Sequence, residues 1–265
     1  MLTGMTTTTV TVPTQTAGPV PVTFSEQGSG RPFLLLHGGA GPQSVAAFGG
    51  LLATTTPGRV ITPTHPGFGG TPRPDGLTSI AGLAELYAGL LAELGLTGVT
   101  VIGNSIGGWI AAELALLHSD RVSGYVLADA VGLQIEEHPV ADFFSLTMDQ
   151  VAELSYCRPD EFRIDVAALP EAQQAMMAGN RAALQVYGGT AMADPSLLGR
   201  LPAISAPVLI VWGAADRIVA AEHGKAYAAA IPAARLEVIA TAGHLPQLET
   251  PELLGTLVRD FAAAL

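Results

Sequence analysis

The chain has 265 residues and a formal net charge of −11. This acidic balance leaves no basic surface for a nucleic-acid backbone, so we predict no nucleic-acid partner. The single cysteine, Cys157, excludes an internal disulfide and a zinc cluster built from cysteines.

Hydrophobic residues make up 49% of the chain, which raises the question of a membrane span. A long uncharged stretch, residues 95–112, is interrupted by glycines and by Asn104 and Ser105. It therefore predicts a buried strand, a turn and the start of a helix, and no membrane partner. The first residues lack the basic and apolar regions of a secretory signal, which favours a cytoplasmic protein.

Eight runs along the chain have the pattern of β-strands. The first two form a predicted antiparallel pair, and the other six are short and nearly all apolar. Such runs are typical of parallel strands that helices cover on both faces. The predicted strands are 7–12, 20–24, 33–36, 59–62, 99–102, 122–129, 207–213 and 235–240.

Helices are predicted between most of these strands, at 43–55, 78–94, 106–118, 219–230 and 251–264. Residues 132–200, called here the inserted segment, break this alternation with acids, prolines and Phe143 and Phe144. We predict an α/β fold in which this segment is a helical lid. Residues 1–131 and 201–265 would form the core domain.

The strongest chemical signal is the run Gly103-Asn104-Ser105-Ile106-Gly107, which follows a predicted strand and opens a predicted helix. This is the context of a nucleophile elbow, a sharp turn that projects a serine hydroxyl out of the sheet. A second glycine-rich loop, 37–41, follows the strand 33–36. The backbone N–H groups of Gly39 and Ile106 are the predicted oxyanion hole, and His37 is predicted to have a structural role.

A serine nucleophile needs a base, and the base needs a carboxylate to orient it. His244 follows the strand 235–240, and Asp216 follows the strand 207–213, so both belong at the edge that carries Ser105. We predict a triad of Ser105, His244 and Asp216. Asp129, at the end of the strand 122–129, is the competing acid.

The other histidines, His65, His118, His138 and His223, are predicted to lie on the surface or in loops, with His65 near the pocket. No two histidines have metal-ligand spacing, so we expect no metal site. The glycines around residues 67–70 lack the lysine and hydroxyl residue of a phosphate-binding loop, and we expect no cofactor.

These motifs, with WGAADRIV (212–219) and AGHLPQLETP (242–251), resemble the α/β-hydrolase superfamily over the whole chain outside the inserted segment. The resemblance implies a mostly parallel eight-stranded sheet with helices on both faces. Thr64 departs from the aspartate that many relatives have in the loop after the fourth strand. Dehalogenases and epoxide hydrolases of this fold have an aspartate nucleophile, and hydroxynitrile lyases have an extra lysine, so neither group matches.

HGGAGP and GNSIGG also resemble the subgroup that hydrolyses carbon–carbon bonds in ring-fission products of aromatic compounds. That resemblance implies substrate binding by Asn104 and by Arg181 in the inserted segment. Phe143 is a further expected contact. Leu245 replaces the subgroup's tryptophan after the catalytic histidine, and it too is expected to border the substrate.

Three functions follow from the sequence. The first is a serine hydrolase of small esters or lactones, and the second is a carbon–carbon bond hydrolase. The third, from another class, is a receptor that binds a ligand on this fold without turning it over. The expected partner is a small-molecule substrate, and homo-oligomerisation is left open.

Overall fold

An eight-stranded sheet lies at the centre of the computed structural model, which describes residues 5–265. Two further short strands pair with each other apart from this sheet. The ten strands are β1 (Thr6–Thr14), β2 (Gly18–Gly28), β3 (Arg31–Leu36), β4 (Gly58–Pro63), β5 (Val99–Asn104), β6 (Val122–Ala128), β7 (Gly132–Leu133), β8 (Ala193–Asp194), β9 (Val208–Gly213) and β10 (Ala234–Ile239).

The strand order in the large sheet is β1-β2-β4-β3-β5-β6-β9-β10. β2 pairs antiparallel with β1 and with β4, and every other pair in this sheet is parallel. The predicted α/β fold and its mostly parallel eight-stranded sheet are therefore confirmed. Because parallel strands end at the same edge, the loops after β3, β5, β6, β9 and β10 converge there.

Helices cover both faces of this sheet. α1 and α10 lie on one face, and α2, α3 and α8 on the other. The ten helices are α1 (Gln43–Thr55), α2 (Ile80–Glu93), α3 (Ile106–Leu116), α4 (Met148–Ser155), α5 (Pro159–Phe162), α6 (Glu171–Gly188), α7 (Leu197–Arg200), α8 (Ala221–Ala230), α9 (Pro246–Glu249) and α10 (Pro251–Ala263).

The apolar strands need both helical layers because successive side chains point to opposite faces. In β3, Phe33 and Leu35 pack with α1 and α10, whereas Leu34 and Leu36 pack in the cluster that contains α2 and α3. All four side chains are at most 2% exposed. A strand that is buried on both faces is therefore an unbroken run of apolar residues in the sequence.

The inserted segment contains α4 to α7 and the small parallel sheet of β7 and β8. Two of the contacts that fix it to the core come from α6 and α7. The Tyr187 hydroxyl donates to the carbonyl of Pro66 at 2.9 Å, and Arg200 binds the buried carboxylate of Glu113 through two nitrogens, at 2.7 and 2.6 Å. A planar guanidinium suits this bidentate arrangement, which attaches the end of the segment to α3.

Among residues 5–265, no helix has both the length and the apolar character that crossing a membrane requires.

Candidate active site

Ser105 occupies a strained turn between β5 and α3. Its backbone has φ 56° and ψ −118°, a conformation that residues other than glycine rarely adopt. The surrounding bonds hold the turn: the Ser105 N–H donates to Ala128 O at 3.0 Å, and its carbonyl accepts from Gly108 and Trp109. The parallel neighbour β6 and the first turn of α3 therefore hold Ser105 in this strained conformation.

The glycines on either side of Ser105 are required by close backbone packing. A Cβ at Gly103 would lie 2.0 Å from the carbonyl oxygen of Gly107, and a Cβ at Gly107 would lie 2.3 Å from that of Leu36. Neither site can accommodate a side chain without a backbone shift. The motif thus reflects the contact between the elbow and the end of β3.

His244 lies beside this elbow and is paired with Asp216. Its Nδ1 is 2.8 Å from Oδ2 of Asp216. Because a carboxylate only accepts, Nδ1 carries the proton and Nε2 is left with a free lone pair. The backbone of His244 is held by Ser155, whose carbonyl accepts from the His244 N–H, and by Asn104, whose amide donates to the His244 carbonyl at 2.9 Å.

Asp216 is surrounded by donors. Its Oδ1 accepts from the backbone N–H groups of Ile218 and Val219, at 2.8 and 2.9 Å, while Oδ2 accepts from His244. Three N–H donors stabilise the charged carboxylate in a buried position. The structure therefore places the Asp216 carboxyl group against the imidazole ring of His244.

Asp129, the competing acid, lies within the same group of side chains. One oxygen of Asp129, one of Asp216 and a ring nitrogen of His244 all lie within 4.8 Å of one another. Burial and the neighbouring Asp216 hold the pKa of Asp129 well above its usual range. A neutral carboxyl cannot stabilise an imidazolium as an anion does, so the geometry favours Asp216 as the acid. The spacing also resembles a metal site, but Nδ1 of His244 is already committed to Asp216.

The predicted oxyanion donors face the same edge. Neither the Gly39 nor the Ile106 amide donates in a backbone hydrogen bond found among residues 5–265. Helix α6 lies directly over this loop, because a Cβ at Gly39 would be 2.8 Å from the side chain of Leu184. The Gly39 N–H thus has no backbone acceptor among the described residues, and it belongs to a loop covered by the apolar side chain of Leu184.

Two buried histidines support the loop from behind. The His65 N–H donates to Nε2 of His37 at 3.1 Å, so the His37 proton lies on Nδ1, 2.7 Å from the carbonyl of Gly38. His65 Nε2 lies 2.9 Å from the carbonyl of His37, and its Nδ1 accepts from the hydroxyl of Tyr87. Both rings are neutral in this network, in agreement with the structural role expected of His37.

His65 lies in the loop after β4, as expected, and is fully buried there. The expectation that His223 is a surface or loop residue was wrong, since it lies buried in α8. Each ring satisfies a carbonyl inside the fold: His65 that of His37, and His223 that of His138 at 2.7 Å. His118 and His138 are exposed, as expected.

Comparison with known proteins assigns the chain to a family. The profile described as "Alpha/beta hydrolase family" matches residues 33–255. The chain belongs to the alpha/beta hydrolase family. It is a hydrolase of this fold, in agreement with the resemblance seen in its motifs.

Two similar proteins are named as hydrolases of a semialdehyde and of a dienoic acid. The hydrolase is 31% identical to 2-hydroxymuconate semialdehyde hydrolase of Pseudomonas putida, over 90% of this chain and 89% of that protein. It is 28% identical to 2-hydroxy-6-oxo-6-(2'-aminophenyl)hexa-2,4-dienoic acid hydrolase of Metapseudomonas resinovorans, over 94% and 87% of the two chains.

Solved structures include a similar esterase. The thermophilic esterase of Thermogutta terrifontis superposes with a TM-score of 0.78 at 27% identity, covering 97% of this chain and 98% of that one. A meta-cleavage product hydrolase of Pseudomonas fluorescens IP01 has the same TM-score at 22% identity, covering 96% and 97%. The latter similarity concerns the fold alone.

The residues expected to bind substrate are not equally free to do so. The Asn104 amide donates to the carbonyls of Ala128 and His244, and its oxygen accepts from Gln247 at 3.1 Å. Its polar atoms thus connect the elbow to the loop of His244, which favours a positioning role. Leu245 is half-buried directly after His244, where a substrate contact stays a prediction.

Arg181 is engaged within the inserted segment. Its Nη2 donates to the carbonyl of Phe143 at 2.7 Å, and its guanidinium carbon lies 4.7 Å from the centre of the Phe143 ring. A second ring, that of Phe144, lies 5.5 Å away. The stacking and the hydrogen bond to the carbonyl thus occupy the Arg181 guanidinium and hold α6 against residues 143–144 of the same segment.

Sequence reasoning missed two residues that tie the inserted segment to the site. Asn180 accepts from the Gly69 N–H at 2.8 Å, and its amide donates to the carbonyl of Ala40 at 3.3 Å. Glu249 accepts from the N–H groups of Gly243 and Cys157, at 2.6 and 2.8 Å. Their partners are distant in sequence, so no local motif could have indicated them.

The elbow packing generates a stability prediction. Gly103→Ala forces a Cβ onto the carbonyl of Gly107, and we expect a loss of about 1–3 kcal/mol in the free energy of unfolding, measured in urea. Gly179→Ala is the control, because it lies within α6 with no atom within 4 Å of its added Cβ. The control should gain about 0.5–1 kcal/mol. Equal effects from both variants would contradict the packing argument.

The neutral histidines generate a prediction about acid stability. Burial lowers the pKa of His65 from 6.5 to about 4, so the unfolded chain takes up the proton first as pH falls. The stability due to a neutral His65 is therefore complete above pH 6.5 and is lost as pH falls towards 4, by about 3 kcal/mol.

His65→Gln removes this titration, so the difference in unfolding free energy between wild type and variant should shrink over that pH range. A difference that stays constant with pH would show that His65 does not titrate differently in the folded and unfolded states.

Proposed function

We propose that this hydrolase is a serine hydrolase in which Ser105 is the nucleophile, His244 the general base and Asp216 its orienting acid. The observation that carries the proposal is the His244–Asp216 contact of 2.8 Å, formed beside a serine in a strained elbow. The contact holds the proton of the neutral imidazole on Nδ1, so Nε2 is the nitrogen that can accept a proton, as a general base requires.

The proposed reaction proceeds through an acyl-enzyme. Ser105 Oγ attacks a carbonyl carbon while Nε2 of His244 takes its proton, and the N–H groups of Gly39 and Ile106 bind the oxyanion. His244 then protonates the leaving group and activates the water that releases the acyl group. Each of these steps uses a side chain or a backbone N–H of this chain, and we expect no cofactor.

We propose small uncharged esters or lactones as the first class of substrate. The engagement of Arg181 with Phe143 supports this choice, because a guanidinium used inside the inserted segment does not present a free cation to a substrate carboxylate. Leu184 over Gly39 adds an apolar surface beside the proposed oxyanion hole. In this proposal residues 132–200 act as a lid on the core formed by 1–131 and 201–265.

The second candidate is hydrolysis of a carbon–carbon bond in a ring-fission product. The two relatives from Pseudomonas putida and Metapseudomonas resinovorans favour it, since they match nearly the whole chain. The proposed triad would serve either reaction, because both begin at a carbonyl carbon. The two candidates differ in the need for a group that binds the acid end of the substrate.

The first test concerns the triad. Ser105→Ala and His244→Ala should each lower kcat by roughly 10⁴ to 10⁶, and the double variant should lose little more because the residues act as one unit. Asp216→Asn should cost on the order of 10⁴ by favouring the wrong tautomer. Circular dichroism of each variant serves as the control for folding.

A loss in the double variant equal to the product of the single losses would refute the assignment. Tight ligand binding without turnover of any ester, and without labelling of Ser105 by a fluorophosphonate, would indicate the receptor instead.

The second test separates the substrate classes. If Arg181 only organises the inserted segment, Arg181→Ala should affect both classes of substrate alike. The fold-change in kcat/KM for an uncharged ester should then agree within about threefold with the fold-change for an acidic ring-fission dienoate. Arg163→Ala is the matched control, since Arg163 also lies in that segment and is paired with Asp149 and Glu153. A loss of about tenfold or more on the dienoate alone would establish the carbon–carbon candidate.

A further inference from the structure

Asp129 is a buried acid for which the proposed mechanism has no use. It follows β6 directly, has φ 47°, and its side chain has no exposed surface. Its Oδ1 accepts from the Gly213 N–H at 2.8 Å. Its Oδ2 has no hydrogen-bond partner among residues 5–265. A buried charged oxygen without a donor is costly, so this side chain needs a further explanation.

Asp216 and Asp129 differ in the number of donors they receive. Asp216 accepts three N–H groups, from Ile218, Val219 and His244, whereas Asp129 accepts only one. One carboxyl oxygen of Asp129 lies within 4.8 Å of one carboxyl oxygen of Asp216. Two buried carboxyls this close do not both ionise, and the proton goes to the one whose anion is less stabilised.

We propose that Asp129 is a protonated carboxylic acid whose Oδ2–H donates a hydrogen bond to the carboxylate of Asp216. It would act as a positioning residue, since it touches no reacting atom and works through Asp216. The pair would then carry one negative charge in place of two. Asp216 would gain a fourth donor, which holds its carboxylate in place behind the imidazole of His244.

The charged groups around Asp129 agree with this assignment. Burial, Asp216 and Glu249 all raise the pKa of Asp129, and the Gly213 N–H is the one group that lowers it. Glu249 is itself held as an acceptor by Gly243 and Cys157, so it offers no proton donor to Asp129. The titratable groups facing Asp129 are thus Asp216, Glu249 and His244.

If Asp129 is a neutral carboxylic acid, Asp129→Asn replaces it with a neutral amide, so the charge does not change. The asparagine amide can donate to Asp216, and its oxygen can accept from the Gly213 N–H. Asp129→Leu removes both contacts at similar volume. The kinetic part of the test rests on the proposed function, whereas an infrared spectrum of the whole protein does not.

The infrared measurement comes first. At neutral pH the wild-type protein should show the carbonyl band of a protonated carboxylic acid, which should vanish in Asp129→Asn and persist in the exposed control Asp120→Asn. This result requires no turnover. The absence of the band from the wild type, or its persistence in Asp129→Asn, would overturn the proposal.

The kinetic measurement follows with the best ester. Asp129→Asn should keep kcat within about threefold and leave the acid limb of the kcat/KM profile in place, whereas Asp129→Leu should lose about tenfold or more. If Asp129 were ionised, its replacement by asparagine would lower the midpoint of the acid limb by about one pH unit. That shift would overturn the proposal even with full activity.

Discussion

Close backbone contact at the carboxyl edge of the sheet is the constraint on which the rest of the site depends. A Cβ at Gly103 would lie 2.0 Å from Gly107 O, and one at Gly213 would lie 2.0 Å from Gly243 O. The first contact closes the turn that carries Ser105, and the second brings the loop of His244 against the end of β9. Because both contacts involve backbone, they leave little freedom in the relative positions of serine, histidine and acid.

The buried polar side chains behind this edge differ in the number of hydrogen-bond donors that reach them. Asp216 accepts hydrogen bonds from three N–H groups, while Asp129 accepts one. His37 and His65 receive a donor on one ring nitrogen and donate from the other, which keeps both rings neutral. The hydrogen-bond donors that reach a buried side chain thus influence its charge, since burial penalises every charge that lacks a partner.

The inserted segment is joined to the core by polar side chains that accept from or donate to backbone. Asn180 connects α6 to the loops that contain Ala40 and Gly69, and Glu249 connects the chain after α4 to the loop of His244. These contacts place the segment directly over the candidate site. They also explain how the inserted segment keeps a defined position relative to the core, because buried backbone groups must be satisfied.

The sequence by itself determined the architecture and the candidate triad. Unbroken apolar runs such as 33–36 indicate strands buried on both faces, and the glycines around Ser105 indicate a turn with no room for side chains. The order of Ser105, Asp216 and His244 at successive strand ends placed them at one edge, because parallel strands all end there.

Only the tertiary structure decided the charges and the contacts that depend on distant residues. The burial of His65, the engagement of Arg181 with Phe143, and the contact of Asp216 with Nδ1 of His244 follow from partners that are remote in sequence. A residue type and its local motif do not specify which N–H groups will surround a carboxyl after folding. That environment sets whether the carboxyl is charged, so the role of each acid is a property of the packed structure.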